Sequence, residues 1–336
     1  LSWESTKNYN LGVDFSLFNN RINGSVDVYK RNTEDLIGNV TTSPFTSFSN
    51  IVGNLGDLEN KGIEFTLTTH NIDTPNFQWS TTMVGAYNKN KITRLESDIS
   101  GLSAQRYLSL FEHIEGYPTN SLFMYDFVGL DNRGYPQIRL ADGSIITDRD
   151  VADIEDLIFA GTTTPKFSGG MANNFRYKGF ELNTNIIYNF GAKFRRRHME
   201  FTNNPSIHYN GQLDNNLSVD FLDRWQQPGD EAFTSIPGYI LDNATHSERD
   251  TNYYAFGASN IFDASYLKLR EIVLAYNLPN KVLDKLGAYN IRFRLQVNNL
   301  MLWKANDIDV DPETPNYNDF ETRGQGTLSF GINASF

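Results

Sequence analysis

The segment Thr327–Phe336 reads TLSFGINASF. Leu328, Phe330, Ile332, Ala334 and Phe336 are apolar, whereas Thr327, Ser329, Gly331, Asn333 and Ser335 are small or polar. Strict period two predicts a β-strand with one apolar face. A soluble sheet packs that face on a core. An outer-membrane barrel turns it toward lipid and keeps small polar groups inside.

The same alternation recurs upstream. Leu11, Val13, Phe15 and Leu17 oppose Asn10, Gly12, Asp14 and Ser16, and a turn at Phe18–Arg21 leads to Ile22, Val26 and Val28. Asn in that turn suits positive φ. Ile63, Phe65 and Leu67 form a third strand, and a turn at Asp73–Asn76 introduces a fourth with Phe77, Trp79, Met83 and Tyr87. Phe167, Met171 and Phe175 are joined through Tyr177-Lys178-Gly179 to Phe180, Leu182, Ile186, Tyr188 and Phe190. In the seventh strand, Leu267 and Leu269 change phase at Arg270-Glu271 before Ile272, Leu274 and Tyr276. One extra residue that shifts the face predicts a β-bulge. A helical linker over Lys281–Leu286 precedes Ile291, Phe293, Leu295 and Val297. The gaps, including a Thr/Ser/Asn-rich stretch read as a loop over 32–57, alternate short and long.

That alternation of gaps predicts short periplasmic turns and long external loops. The polar sides carry full charges: Asp14, Asp27, Glu64, Glu181, Arg292 and Arg294. A wet lumen tolerates them and a dry core does not. Tyr9, Tyr29, Tyr87, Tyr177, Tyr188 and Tyr276 fall near strand ends, as interfacial girdles require. The periodicity alone also describes a soluble, secreted β-sandwich. The expectation is an all-β, antiparallel up-and-down transmembrane barrel.

Composition is consistent with this. The 336 residues include 24 Phe, 17 Tyr and 4 Trp, yet mean hydropathy is -0.45. No window offers the roughly 20 apolar residues of a spanning helix, so a membrane fold must close a barrel. Net charge is -11, which disfavours a nucleic-acid partner. There is no Cys, and His70, His113, His198, His208 and His246 are scattered without ligand spacing. The start, Leu1-Ser2-Trp3-Glu4, has no Met and no export signal. About nine strands are counted, whereas a complete single-chain bacterial barrel needs an even number. Residues 1–336 are therefore expected to be the C-terminal portion of a longer barrel.

Several segments carry a resemblance. Asn54-Leu55-Gly56-Asp57-Leu58-Glu59-Asn60-Lys61-Gly62 is similar to a G-x-x-x-N-K-G strand opening, and Glu115-Gly116-Tyr117-Pro118 with Phe123–Gly129 to an EGxPxxxFYxYxxDG segment, with Met124 and Phe127 as variants. Thr164–Gly170 with Phe175–Leu182 is similar to a P-x-F-x-x-G…F-x-Y-K-x-F-x-L hairpin. Ala264–Arg270 with Leu278-Pro279, then Asn298-Asn299-Leu300 and Asp311-Pro312-Glu313, complete the set. In this order they resemble the SusC/RagA-type TonB-dependent outer-membrane transporters.

The resemblance implies a 22-stranded barrel in the outer membrane of a Gram-negative bacterium, with this chain supplying about nine strands. It implies a plug domain and a TonB box, neither of which this chain contains. It implies TonB-dependent import of an oligomeric nutrient, a glycan by preference or a peptide. A SusD-like surface lipoprotein and a dimer of such pairs are the implied partners, with outer-membrane lipid around the wall. No cofactor is implied.

No G-x-S-x-G, HExxH or P-loop occurs, and the expectation is a protein that is not an enzyme, although an external-loop hydrolase is a third reading. Asp307, Asp309, Asp311 and Glu313 form an acidic loop that could hold Ca²⁺ but lacks EF-hand spacing. Loop aromatics can stack on sugar rings. The candidates for substrate contact are Tyr117, Phe123, Tyr125, Tyr135, Tyr209, Tyr239, Tyr253, Tyr254 and Trp303. The competing role for most of them is packing the loops on one another or against the lipoprotein.

Overall fold

Each alternating segment is a strand, and the strands pair with their chain neighbours. The computed structural model describes residues 1–41, 50–96, 103–110, 113–149, 151–196, 219–239, 248–308, 310–314 and 325–336. The wall is formed by β1 (Ser5–Leu17), β2 (Ile22–Thr41), β3 (Asn50–Asp73), β4 (Phe77–Leu95), β9 (Phe167–Tyr177), β10 (Phe180–Phe190), β13 (Tyr266–Asn277), β14 (Asn290–Lys304) and β15 (Thr327–Ser335). They form one nine-stranded antiparallel sheet in chain order. The elements between β4 and β9 are α1 (Ala104–Leu110), β5 (Ser121–Leu130), β6 (Pro136–Arg139), β7 (Ile145–Ile146) and β8 (Leu157–Thr162). Between β10 and β13 lie β11 (Lys193–Arg195), α2 (Asn252–Ala255) and β12 (Ile261–Asp263), and α3 (Asn280–Leu286) follows β13.

The register aligns the apolar positions of all nine strands on one face. Val13 lies opposite Val26, Val26 opposite Phe65, Leu67 opposite Met83 and Met83 opposite Met171. The row continues through Ile186 and Leu269 to Leu300, and a parallel one runs Leu182, Leu274, Leu295, Phe330. This face is uncovered: Leu328 is 71% exposed, Phe330 66% and Leu295 41%. Among the described residues no second sheet covers it, which is not the packing of a sandwich, and lipid is the solvent that suits it.

Aromatic rows bound this band. On the turn side Phe77, Tyr177, Phe180, Tyr276 and Phe293 are successive cross-strand partners, with Phe180 and Tyr276 stacked at 4.3 Å. On the loop side Tyr87, Phe167 and Phe190 align. The strand β9 that joins the two rows is 11 residues long. At about 3.4 Å per residue and about 40° tilt its ends are roughly 26 Å apart along the membrane normal, the height of an outer-membrane apolar band. Tyr29 is the exception among the girdle residues, because its ring covers Gly62 on the polar face.

The polar face is laced with charge pairs. Arg292 meets Glu181 at 2.7 Å and Arg294 meets Glu271 at 3.9 Å. The expected bulge is present: Asn185 pairs Glu271 and Ile186 pairs Leu269, so Arg270 is the extra residue.

The stretch 32–57 corrects the sequence reading. Pairing of β2 with β3 continues into it as far as Thr41 and Asn50, with register shifts near Leu36, and residues 42–49 lie outside the described residues. Thr, Ser and Asn imitate a loop by composition, but β-branched Thr also suits a strand wetted on both faces. The sequence also missed the short strands β5–β8, β11 and β12. In the described residues β7-β6-β5-β8 form a four-stranded sheet and β11-β12 a two-stranded one.

Candidate functional site

The loop module has its own core. Tyr107 and Leu108 of α1, Phe123 and Tyr125 of β5, Ile138 of β6 and Tyr253 of α2 pack together, with Tyr117 and Phe256 against them. Burying these rings stabilises the module by about 2 kcal/mol or more each. Their edges interlock: Tyr117 lies 5.0 Å from Phe123 and Tyr125 5.0 Å from Tyr253, and Tyr253 Oη donates to the Asp148 carbonyl at 2.7 Å.

The sequence candidates therefore occupy distinct environments. Phe123, Tyr125, Tyr135, Tyr253 and Tyr254 are buried. Tyr117 is half-buried beside Phe159. Tyr239 is half-buried 5.7 Å from Phe221. Arg133 stacks over Tyr135 at 4.4 Å. Trp303 is exposed, in register with Leu267 of the apolar face and 6.2 Å from Phe190. Tyr209 lies outside the described residues.

Where the module meets the wall there is a cavity of about 1070 Å³. Asn189 of β10 and Tyr266 of β13 contribute from the wall, and their side chains hydrogen-bond at 2.6 Å. Thr119, Asn120, Ser121 and Thr163 add hydroxyl and amide groups, and Phe256 adds a ring. Arg195 and Arg196 complete the lining. Arg195 donates to the Phe123 carbonyl and stacks over Phe256 at 4.7 Å. Burial lowers its pKa to about 10, which leaves it cationic at neutral pH. Arg196 pairs with Asp220 at 2.8 Å. The Nε of each arginine has no acceptor among the described residues. Both Nε atoms are buried, so what the two arginines bring to the cavity is their positive charge at its lining. Sequence reasoning did not single out these arginines, because the lining comes from segments far apart in the chain.

Two acids of the acidic loop, Asp311 and Glu313, are already paired with cations. Lys268, only 1% exposed, meets Asp311 at 3.2 Å and Glu313 at 2.5 Å, and Arg270 binds Glu313 as well. Asp309 lies outside the described residues. Among the described residues no cluster of three or more His, Cys, Asp or Glu could hold a metal. The clamp also explains two of the recurring motifs physically: the basic residues of Tyr266–Arg270 hold the acids of Asp311-Pro312-Glu313.

Known proteins share this architecture. The family model described as "TonB dependent receptor-like, beta-barrel" matches residues 1–300. TonB-dependent receptor P3 of Formosa agariphila is 28% identical over 98% of this chain and 32% of its own length. TonB-dependent receptor SusC of Bacteroides thetaiotaomicron is 27% identical over 83% of this chain and 26% of its own. A solved RagAB peptide transporter superposes with a TM-score of 0.74 at 24% identity, over all of this chain and 36% of that one, which establishes the fold alone. The chain spans about a third of the length of the curated relatives it matches. It belongs to the TonB-dependent receptor β-barrel family, whose members lie in the Gram-negative outer membrane.

Proposed function

We propose that this chain forms the wall and external loops of a SusC-like importer of an oligomeric nutrient, and that the nutrient is a glycan. The cavity between β10, β13 and the loop module carries this reading. Its hydroxyls and amides match the donors and acceptors of a neutral polyol, and the Phe256 ring offers a face for sugar C–H groups. The guanidinium groups of Arg195 and Arg196 at the lining are donor groups suited to hydroxyl oxygens. Of the aromatic candidates, half-buried Tyr117 and Tyr239 are the ones we assign to the ligand side.

The plug and the TonB-contacting segment belong, in this proposal, to the remainder of a longer protein. A SusD-like lipoprotein covers the loop module, and two such pairs form a dimer. TonB then displaces the plug, and the polar face of the sheet is the hydrated path inward.

The test uses the full-length protein with its lipoprotein. Calorimetry against a panel of neutral oligosaccharides and of peptides should show saturable binding of an oligosaccharide, recovered chemically unchanged. Arg195→Gln should weaken it roughly tenfold, the value of one charge-assisted hydrogen bond. Binding of peptides alone would replace the glycan, and hydrolysis of the ligand would overturn transport.

A further inference from the structure

On the apolar face, one step beyond the loop-side aromatic row, the strands carry lysines in register. Lys30 of β2 lies opposite Lys61 of β3, and Lys61 opposite Lys89 of β4. Tyr9 lies opposite Lys30, and the row beneath on the same face is Leu11, Val28, Ile63 and Tyr87. Like charges placed directly opposite one another destabilise a sheet. Glu59 answers only part of this charge: it binds Lys30 at 2.6 Å and Lys61 at 3.1 Å. Lys91, directly opposite Glu59, and Lys89 are exposed. Four cations thus surround one carboxylate.

Directly beneath the lysines the face is hollow. A groove of about 480 Å³ is lined by Tyr9, Leu11, Val28, Ile63 and Tyr87, with Lys30 and Lys61 at its rim. An apolar trough capped by cations is complementary to a lipid whose acyl chain lies along the wall and whose phosphate meets the ammonium groups. The row lies on the side of the long loops, away from the tight turns at Phe18–Arg21 and Thr74–Asn76. The facing leaflet is therefore the external one.

We propose that the outer surface of β1–β4 is a binding site for a phosphorylated, multiply acylated glycolipid of the external leaflet, held by Lys30, Lys61 and Lys89 over the Tyr9–Tyr87 groove. The proposal rests on the outer-membrane placement of the wall and is independent of the nutrient. The lipid neutralises a charge row that Glu59 compensates only in part.

The experiment uses the full-length transporter in mild detergent, stripped of lipid and titrated with bisphosphorylated lipid A under native mass spectrometry. Folding is checked by heat-modifiable gel mobility. The wild type should retain the lipid, and dephosphorylated lipid A should bind far less. The triple variant K30Q/K61Q/K89Q should lose about a hundredfold in affinity, at roughly fivefold per lysine near a charged surface. The K30R/K61R/K89R variant should restore it, and K285Q on α3 should leave it unchanged. Equal retention by the folded triple variant, or equal binding of dephosphorylated lipid A or of phosphatidylglycerol, would overturn the proposal.

Discussion

Two glycines show how closely the wall is fitted. Gly85 and Gly169 face each other across β4 and β9 on the apolar face, between Phe65 and Tyr188. A Cβ on Gly169 would stand 2.2 Å from the Val84 carbonyl oxygen and 2.6 Å from Tyr188 Oη, and one on Gly85 would stand 2.3 Å from the Phe65 ring. The rings lie over bare backbone and fill what the glycines leave open, the device that rescues glycine in a strand. Gly169→Val forces Tyr188 aside and presses on backbone that cannot retreat. We expect it to cost about 3 kcal/mol, the upper end for overpacking. The full-length protein should lose its compact, heat-modifiable band at a lower temperature. Tyr188→Ala uncovers both glycines and should destabilise in the same assay by about 2 kcal/mol.

At the scale of elements, β13 organises the mouth. Its bulge at Arg270 puts Lys268 and Glu271 on the polar face while Leu269 and Ile272 stay on the apolar one. Lys268 and Arg270 then anchor the loop between β14 and β15 through Asp311 and Glu313. Burial works against ionisation of Glu313, but hydrogen bonds from Arg270 and Lys268 outweigh it and lower its pKa. A carboxylate depressed in the folded state stabilises above its unfolded pKa, about 4.3, and loses that contribution as pH falls through the lower folded value. Limited proteolysis of the β14–β15 loop should therefore accelerate below about pH 4. Lys268→Met leaves two acids without their buried partner, and it should open the loop already at pH 7, with a loss of about 3 kcal/mol. An unchanged cleavage rate in Lys268→Met would refute the anchoring role.

The same contrast explains what was legible. The wall strands and the bulge at Arg270 could be read because one uniform apolar solvent imposes period two on every strand. The short strands could not: β5 buries Leu122, Phe123, Tyr125 and Leu130 with no strict alternation, Phe123 and Tyr125 of them in the module's core. In such a module Tyr125 and Tyr253 have the composition of sugar-binding aromatics, and sequence does not say which face meets water. The cavity arginines escaped for another reason, because only the tertiary fold brings Arg195 beside Phe256 and Asn189.

At the scale of the whole molecule, the sheet has two edges. β1 pairs only with β2 and β15 only with β14 among the described strands. An unpaired backbone edge cannot rest in hydrocarbon, where each unsatisfied group costs several kcal/mol. The nine strands are thus a wall segment that needs further strands to close, in line with relatives about three times as long. Closure makes a specific demand on hydrogen exchange. In the full-length protein the amides of β1 and β15 should be as protected as those of β9 and β10, because both edges gain partners. In residues 1–336 expressed alone, β1 and β15 should exchange within minutes while β9 and β10 hold longer, since edge strands open with little free energy. The isolated chain should also fail to give a heat-modifiable band in detergent. Full protection of both edges in the isolated chain as a monomer would mean that the sheet closes on itself, and a nine-stranded barrel would replace the wall of a larger one.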